Sequence, residues 1–338
     1  MSTVTAGAAG NRARAANPGR FRCIGMRSGG LCLPPTPDAQ ELTMTLATTL
    51  TPGAHQVEID GIRQVYHVAG TGPVCLVHSG GPGMSWEYLR MPTLEAHLTM
   101  VYLEPVGTGT SGRLADRRDY RIDTYARFVH GVLDHLGAPQ AYLLGHSHGG
   151  FVAQRYALDH PDRVAGLILH STSPVTGPEF WNDAMANLAR LPERLAHRPQ
   201  AAAIPGLFPQ ALAATDDETF SALMRQVLPA YFADYWAQED ELAPAFAAFR
   251  AWIGPSGGEE PAPFDVRDEL GFLDVPALIV SGDQDFICGS RWGRMLHEAL
   301  PTSQLLVLDC GHMAHLERPA AFHRAVVEFV EEQAGTAA

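Results

Sequence analysis

Ala141-Tyr142-Leu143-Leu144-Gly145-His146-Ser147-His148-Gly149-Gly150-Phe151 is the stretch whose reading organises the rest of the chain. It opens on an almost wholly apolar run, as in a strand covered on both faces. Phe151, Val152, Tyr156 and Leu158 then follow with the spacing of a buried helix. Between the two lies Gly-x-Ser-x-Gly. Glycines at 145 and 149 let strand and helix approach across a sharp turn, and the turn holds Ser147 in a strained conformation that points its hydroxyl outward. The serine also sits at the positive end of the helix, where backbone N–H groups favour negative charge. Glycine and serine are common residues, so the motif gains its meaning from this placement and from partners elsewhere in the chain.

Outward from this turn the same alternation recurs. Val57, Ile59 and Ile62, then Val65, Tyr66 and Val68, broken at Asp60-Gly61, predict a hairpin. Short apolar runs at Val74 to Val77, Met100 to Leu103, Ala141 to Leu144, Leu167 to Leu169, Ala277 to Val280 and Leu305 to Leu308 read as buried strands. Helical patterns such as Tyr125 to Leu136, Gly149 to Leu158 and Arg291 to Leu300 separate them. The expected fold is α/β, a mostly parallel, doubly wound sheet flanked by helices. One interval breaks the rhythm, because Leu169 to Ala277 is far longer than a crossover helix requires. Residues 178–262 are therefore read as an inserted helical cap, with helix-like stretches at Phe180 to Ala196 and Asp217 to Trp236 and a Pro/Gly-rich return over 255–263. Residues 44–177 and 263–338 would form the body.

Residues 1–43 are rich in Gly, Pro, Ala and Arg, lack periodicity and have no apolar centre of the kind a secretory signal needs; a disordered extension is expected. The formal net charge of -13 belongs to the rest of the chain and argues against nucleic acid or anionic lipid as a partner, because phosphate recognition needs clustered cations. All 24 basic residues are Arg, so chemistry on a lysine amine is excluded. The 5 cysteines are scattered without a Cys-x-x-Cys pair, which suggests neither a disulfide framework nor a zinc site and fits thiols in a reducing, cytoplasmic compartment. No apolar run approaches the roughly 18 residues of a membrane span.

A serine hydroxyl needs a base, and the base needs an orienting carboxylate. The strand Leu305 to Leu308 runs into Asp309-Cys310-Gly311-His312, and the strand Ala277 to Val280 into Ser281-Gly282-Asp283-Gln284-Asp285. Both groups follow the carboxyl ends of strands, where open α/β sheets gather their sites. His312 at the strand end is the expected base rather than His315; with 15 histidines in the chain, most must be turn or wall residues, His78, His146, His148 and His170 among them. The strand Val74 to Val77 leads into His78-Ser79-Gly80-Gly81-Pro82-Gly83, whose backbone N–H can face a substrate carbonyl opposite the N–H of His148. A phosphate-cradling role is disfavoured by the lack of Gly-Lys-Ser/Thr.

Residues from about 55 to 333 resemble an α/β-hydrolase. Gly80-Gly81-Pro82-Gly83, with Glu104-Pro105-Val106-Gly107-Thr108-Gly109-Thr110-Ser111, is similar to the proline iminopeptidase branch, and Gly311-His312-Met313-Ala314-His315-Leu316-Glu317-Arg318-Pro319 to the superfamily's terminal histidine loop. The resemblance implies that Asp285, the second carboxylate of Gly-Asp-x-Asp, completes the triad with Ser147 and His312. Aligned on Gly-Gly-Pro-Gly, it makes Gly81 the oxyanion donor beside His148, whereas counting from His78 against the branch's His-Gly-Gly-Pro-Gly points to Gly80. It also implies a cofactor-independent serine hydrolase that cleaves an aminoacyl amide, on a short peptide or a small molecule. Three departures bear on the substrate: Ser79 stands before the glycines, Glu104 replaces the branch's Asp, and Gly-His-Ser-His-Gly is a turn shared with esterases, lactonases and carbon–carbon bond hydrolases. Ester or lactone hydrolysis of apolar compounds is the alternative, with a carbon–carbon hydrolase or a non-catalytic receptor behind it. Residues 178–262 hold 11 of the 28 aromatics, so Trp181, Tyr231, Tyr235 and Trp236 are expected to line an apolar acyl pocket.

Overall fold

A computed structural model describes residues 49–247, 249–254 and 263–336. The first hairpin joins β1 (Gly53–Ile59) to β2 (Ile62–Ala69) through Asp60-Gly61, with φ of 52° and 77°. Two positive φ angles in a two-residue loop give the turn whose twist matches that of the strands. β2 lies antiparallel to β4 (Thr99–Glu104), and from there every pairing is parallel, through β3 (Val74–His78), β5 (Ala141–His146), β6 (Val164–His170), β7 (Ala277–Gly282) and β8 (Ser303–Leu308). The sheet has eight strands in the order β1-β2-β4-β3-β5-β6-β7-β8. Each apolar run of the sequence falls inside one of these strands, and every residue of β4, β5 and β7 is buried, as strands covered on both faces must be.

Helices supply the cover. In α1 (Ile122–Leu136) the buried residues Tyr125, Phe128, Val129, Val132, Leu133 and Leu136 recur at helical spacing, and Gly137 ends the helix in the left-handed region. The second helix, α2 (His148–Asp159), follows β5 directly.

Between β6 and β7 the chain forms α3 (Pro178–Ala189), α4 (Ile204–Leu212), α5 (Asp217–Val227) and α6 (Glu239–Ala247). The body then closes with α7 (Ser290–Ala299) and α8 (Pro319–Thr336). Two helix-like stretches are shorter than their periodicity predicts. Instead of running to Ala196, the first stops at Ala189 and restarts as a single turn over Leu191–Arg194, with Pro192 in its opening position. The second stops at Val227 and passes into a 3-10 turn over Leu228–Tyr231, because Pro229 has no N–H for the helical ladder. The extension expected over 1–43 and the return expected over 255–262 lie outside the described residues.

Candidate active site

Parallel strands deliver their carboxyl ends to one rim, and the chemistry-bearing residues lie along it. Ser147 connects β5 to α2 with φ 55° and ψ -118°. Its N–H donates to the His170 carbonyl (2.9 Å), and its carbonyl accepts from the Gly150 N–H (2.9 Å) and the Thr172 hydroxyl (2.8 Å). A Cβ at residue 145 would stand 2.3 Å from the Gly149 oxygen, and one at 149 would stand 2.2 Å from that of His78. The strained turn therefore persists because its flanks carry no side chains and its backbone is bonded on both sides. His148 opens the helix, so its N–H has no intrahelical acceptor.

On the loop after β8, His312 Nδ1 is 2.7 Å from Asp285 Oδ2, with 2% and 0% of the two side chains exposed. The other oxygen of Asp285 accepts from the N–H groups of Ile287 (2.9 Å) and Cys288 (3.1 Å), so the carboxylate is oriented by its own loop. Asp283 is exposed. His315 faces elsewhere, its Nε2 3.0 Å from the Tyr88 carbonyl. The structure thus brings Asp285 and His312 together and leaves Asp283 and His315 apart from that pair.

Gly80 N–H donates to the Tyr88 hydroxyl (2.8 Å), and that hydroxyl lies 2.7 Å from His146 Nδ1. His146 Nε2 in turn is 3.1 Å from the His312 carbonyl, which makes the imidazole a donor there and an acceptor toward Tyr88. The Gly80 N–H is therefore already engaged. At Gly81, with φ 127°, a Cβ would meet the Gly83 nitrogen at 2.6 Å. Gly83 O accepts from Trp252 N–H (2.7 Å) and Ser85 N–H donates to Arg250 O (3.0 Å), so the glycine loop is bridged to the chain that follows α6. The second motif has a structural part: Glu104 accepts from Thr110 and lies 2.7 Å from His67 Nε2, while Ser111 accepts from Val65 N–H (2.9 Å). Burial raises the Glu104 pKa, but its bonds to His67 and Thr110 bring it below the ordinary value.

Burial keeps the surrounding imidazoles neutral. It pulls His78 down to about 4 and His148 and His315 to about 3, and takes His146 and His170 well below the ordinary value. The Cys288 thiol is pushed well up by burial and by Asp285, with a hydrogen bond from Ser147 acting the other way. In this structure the Ser147 hydroxyl faces Cys288, and among the described residues no hydrogen bond joins it to His312 Nε2. Catalytic contacts in unliganded enzymes are often loose in this way. Tyr88, Cys288 and Arg194 carry no signal in the sequence and are distinguished only by proximity in the fold, whereas Glu317 lies within the terminal histidine loop motif.

Of the aromatics expected to line a pocket, Tyr231 stands edge-on to the His312 ring (5.3 Å) and to Phe286 (5.0 Å). Trp181 is 40% exposed and packs on Phe180, while Tyr235 packs on Phe232 (5.5 Å) and Trp236. None of those three makes a ring contact with His312, His146 or His148 among the described residues. The acidic runs are engaged or exposed. Asp216 caps α5 at Thr219 N–H (2.8 Å), Asp217 accepts from Ile253 N–H (2.8 Å) and pairs with Arg113 (3.2 Å), and Glu218, Glu239, Asp240 and Glu241 face solvent. Among the described residues no group of three or more His, Cys, Asp and Glu side chains could hold a metal ion, and no helix is long and apolar enough to cross a membrane.

A serine on a strained strand-to-helix turn, with a buried histidine–carboxylate pair on later loops of the same parallel sheet, defines the α/β-hydrolase class. The chain belongs to that family, whose alpha/beta hydrolase fold matches residues 72–319. It is 30% identical over 297 residues to 2-hydroxymuconate semialdehyde hydrolase of Pseudomonas sp. (strain CF600), covering 80% of this chain and 92% of that protein. Against proline iminopeptidase of Lactobacillus delbrueckii subsp. bulgaricus it is 27% identical over 291 residues, covering 80% and 94%. The solved enol-lactonase of Burkholderia xenovorans LB400 superposes with a TM-score of 0.61 at 22% identity, over 82% of this chain and 100% of that one, a likeness of fold.

Proposed function

We propose that the protein is a cofactor-independent serine hydrolase of small acyl compounds. The observation that carries this reading is the buried 2.7 Å pair of His312 and Asp285 on the rim that presents Ser147. In the proposed cycle the Ser147 hydroxyl swings from Cys288 to His312 Nε2, which takes its proton as Oγ attacks the acyl carbonyl. The N–H groups of Gly81 and His148 stabilise the oxyanion; Gly80 is set aside because Tyr88 occupies its N–H. Asp285 holds the proton on Nδ1, so that Nε2 remains free to accept. His312 then protonates the leaving group, and a water activated by the same imidazole releases the acyl group from Ser147.

For the substrate, a neutral, apolar acyl group in an ester or lactone is the reading we adopt. A free aminoacyl amine needs an anionic partner, and the described carboxylates of residues 178–254 are engaged elsewhere or exposed. Tyr231 and Phe286 supply apolar surface beside His312. The amide reading is supported by the Gly-Gly-Pro-Gly loop and by the likeness to the proline iminopeptidase. The two are separated by assaying purified protein on p-nitrophenyl esters beside prolyl- and alanyl-naphthylamides. Ester turnover with inert naphthylamides is expected, and the reverse pattern would overturn the choice. A fluorophosphonate probe that leaves Ser147 unlabelled in folded protein would instead indicate a non-catalytic receptor.

A further inference from the structure

We infer that Glu317 and Arg194 are positioning residues that staple the segment Tyr231–Ala233 across the two loops carrying His312 and Asp285. The inference rests on the serine-hydrolase reading and adds a device that holds its base in place. Glu317 is 5% exposed. One of its oxygens accepts from the Gly311 N–H (2.7 Å), next to His312, and the other from the Ala233 N–H (2.9 Å), on the chain that follows α5. Arg194 donates to the carbonyls of Ala233 (2.8 Å) and Phe232 (3.3 Å), and to Gln284 Oε1 (2.9 Å), next to Asp285. The segment itself closes the arrangement, because the His312 N–H donates to the Tyr231 carbonyl at 2.7 Å.

These contacts have a geometric consequence. Asp285 and His312 stand on loops that leave neighbouring strands, and those loops are joined just past the rim, where the Asp283 N–H donates to the Leu308 carbonyl and the Gln284 N–H to the Cys310 carbonyl, both at 3.0 Å. The stapled segment braces the joined loops from outside, with a carboxylate on the histidine side and a guanidinium on the aspartate side. Displacement of the helices between β6 and β7 is thereby transmitted to the imidazole. A displacement of about 1 Å in a reacting group can cost about 100-fold in rate.

Glu317→Gln tests this. The amide keeps the shape but presents one donor where an acceptor stood, so the Gly311 or the Ala233 N–H loses its partner. The expected result is a loss of about 10- to 100-fold in kcat and in the rate of fluorophosphonate labelling of Ser147, with KM changed less than about twofold. The low-field proton signal of the His312–Asp285 hydrogen bond should shift or broaden in the folded variant. Arg194→Met, which acts on the aspartate side and leaves Glu317 intact, should give the same pattern and decides the matter if Glu317→Gln does not fold. Folded variants with the wild-type labelling rate and an unmoved proton signal would overturn the inference alone. Wild-type protein that is not labelled at all would remove the serine-hydrolase reading beneath it.

Discussion

Replacing Asp285 by Asn is the most exacting test of the site, because the surroundings dictate how the new side chain must sit. Asp285 Oδ1 accepts from the N–H groups of Ile287 and Cys288 at 2.9 and 3.1 Å. The Asn carbonyl must take that place, since an NH2 group there would face two donors. Its NH2 then points at His312 Nδ1, 2.7 Å away in the native pair, and the imidazole can meet it only by moving its own proton to Nε2. An Nε2–H cannot accept the serine proton. A wrong tautomer of this kind costs about 10⁴-fold in kcat, or about 5 kcal/mol of barrier. The volume is unchanged and the backbone bonds survive, so the variant should stay folded. Turnover of a p-nitrophenyl ester, the labelling rate at Ser147 and thermal unfolding measure the three quantities. An Asp285→Asn enzyme within tenfold of wild type, beside a crippled Asp283→Asn, would refute the reasoning.

Other expectations follow from the same contacts. Gly145→Ala places a methyl group 2.3 Å from the Gly149 oxygen and should destabilise the protein by more than about 2 kcal/mol in denaturant unfolding; an unchanged midpoint would show that the turn can yield. Tyr88→Phe strands the Gly80 N–H and His146 Nδ1 and should cost about 1–3 kcal/mol by the same measurement. Burial depresses the pKa of the imidazoles packed around the site, His78 to about 4, His148 and His315 to about 3, and His146 and His170 well below the ordinary value. Their stabilising contribution is complete above the unfolded value near pH 6.5 and is lost as pH falls toward the folded values, each contributing a slope of about 1.4 kcal/mol per pH unit. Circular dichroism should therefore report cooperative unfolding near about pH 5, and native spectra retained at pH 4 would contradict it.

Much of the architecture was legible in the chain because it depends on local pattern. The apolar runs at Ala141 to Leu144 and Ala277 to Val280 are too short for helices and too uniformly apolar for half-exposed strands, which leaves buried parallel strands. The site's outline followed, since a serine in a glycine-flanked turn and two polar loops after strand ends must share a rim. Helix lengths between β6 and β7 were less legible. Periodicity carries through Pro192 and Pro229 although the missing N–H does not allow the helices to do so. Among the aromatics of that region, composition could not separate Tyr231, beside His312, from the exposed Trp181.

The sequence by itself determined the alternation of strands and helices, the conformation demanded of Ser147 and the loops on which its partners stand. All of these follow from the spacing of apolar residues and from the two positions where a Cβ has no room. Tertiary structure seats Asp285, which the resemblance implied, against His312, and it alone decided that Tyr88 occupies the Gly80 N–H and that Glu317 and Arg194 grip the segment Tyr231–Ala233. The physical reason is range. Where a side chain points beyond a strand end depends on the bonds its loop makes with chain distant in sequence, and those partners are chosen only when the sheet has formed and the helices have packed over its rim.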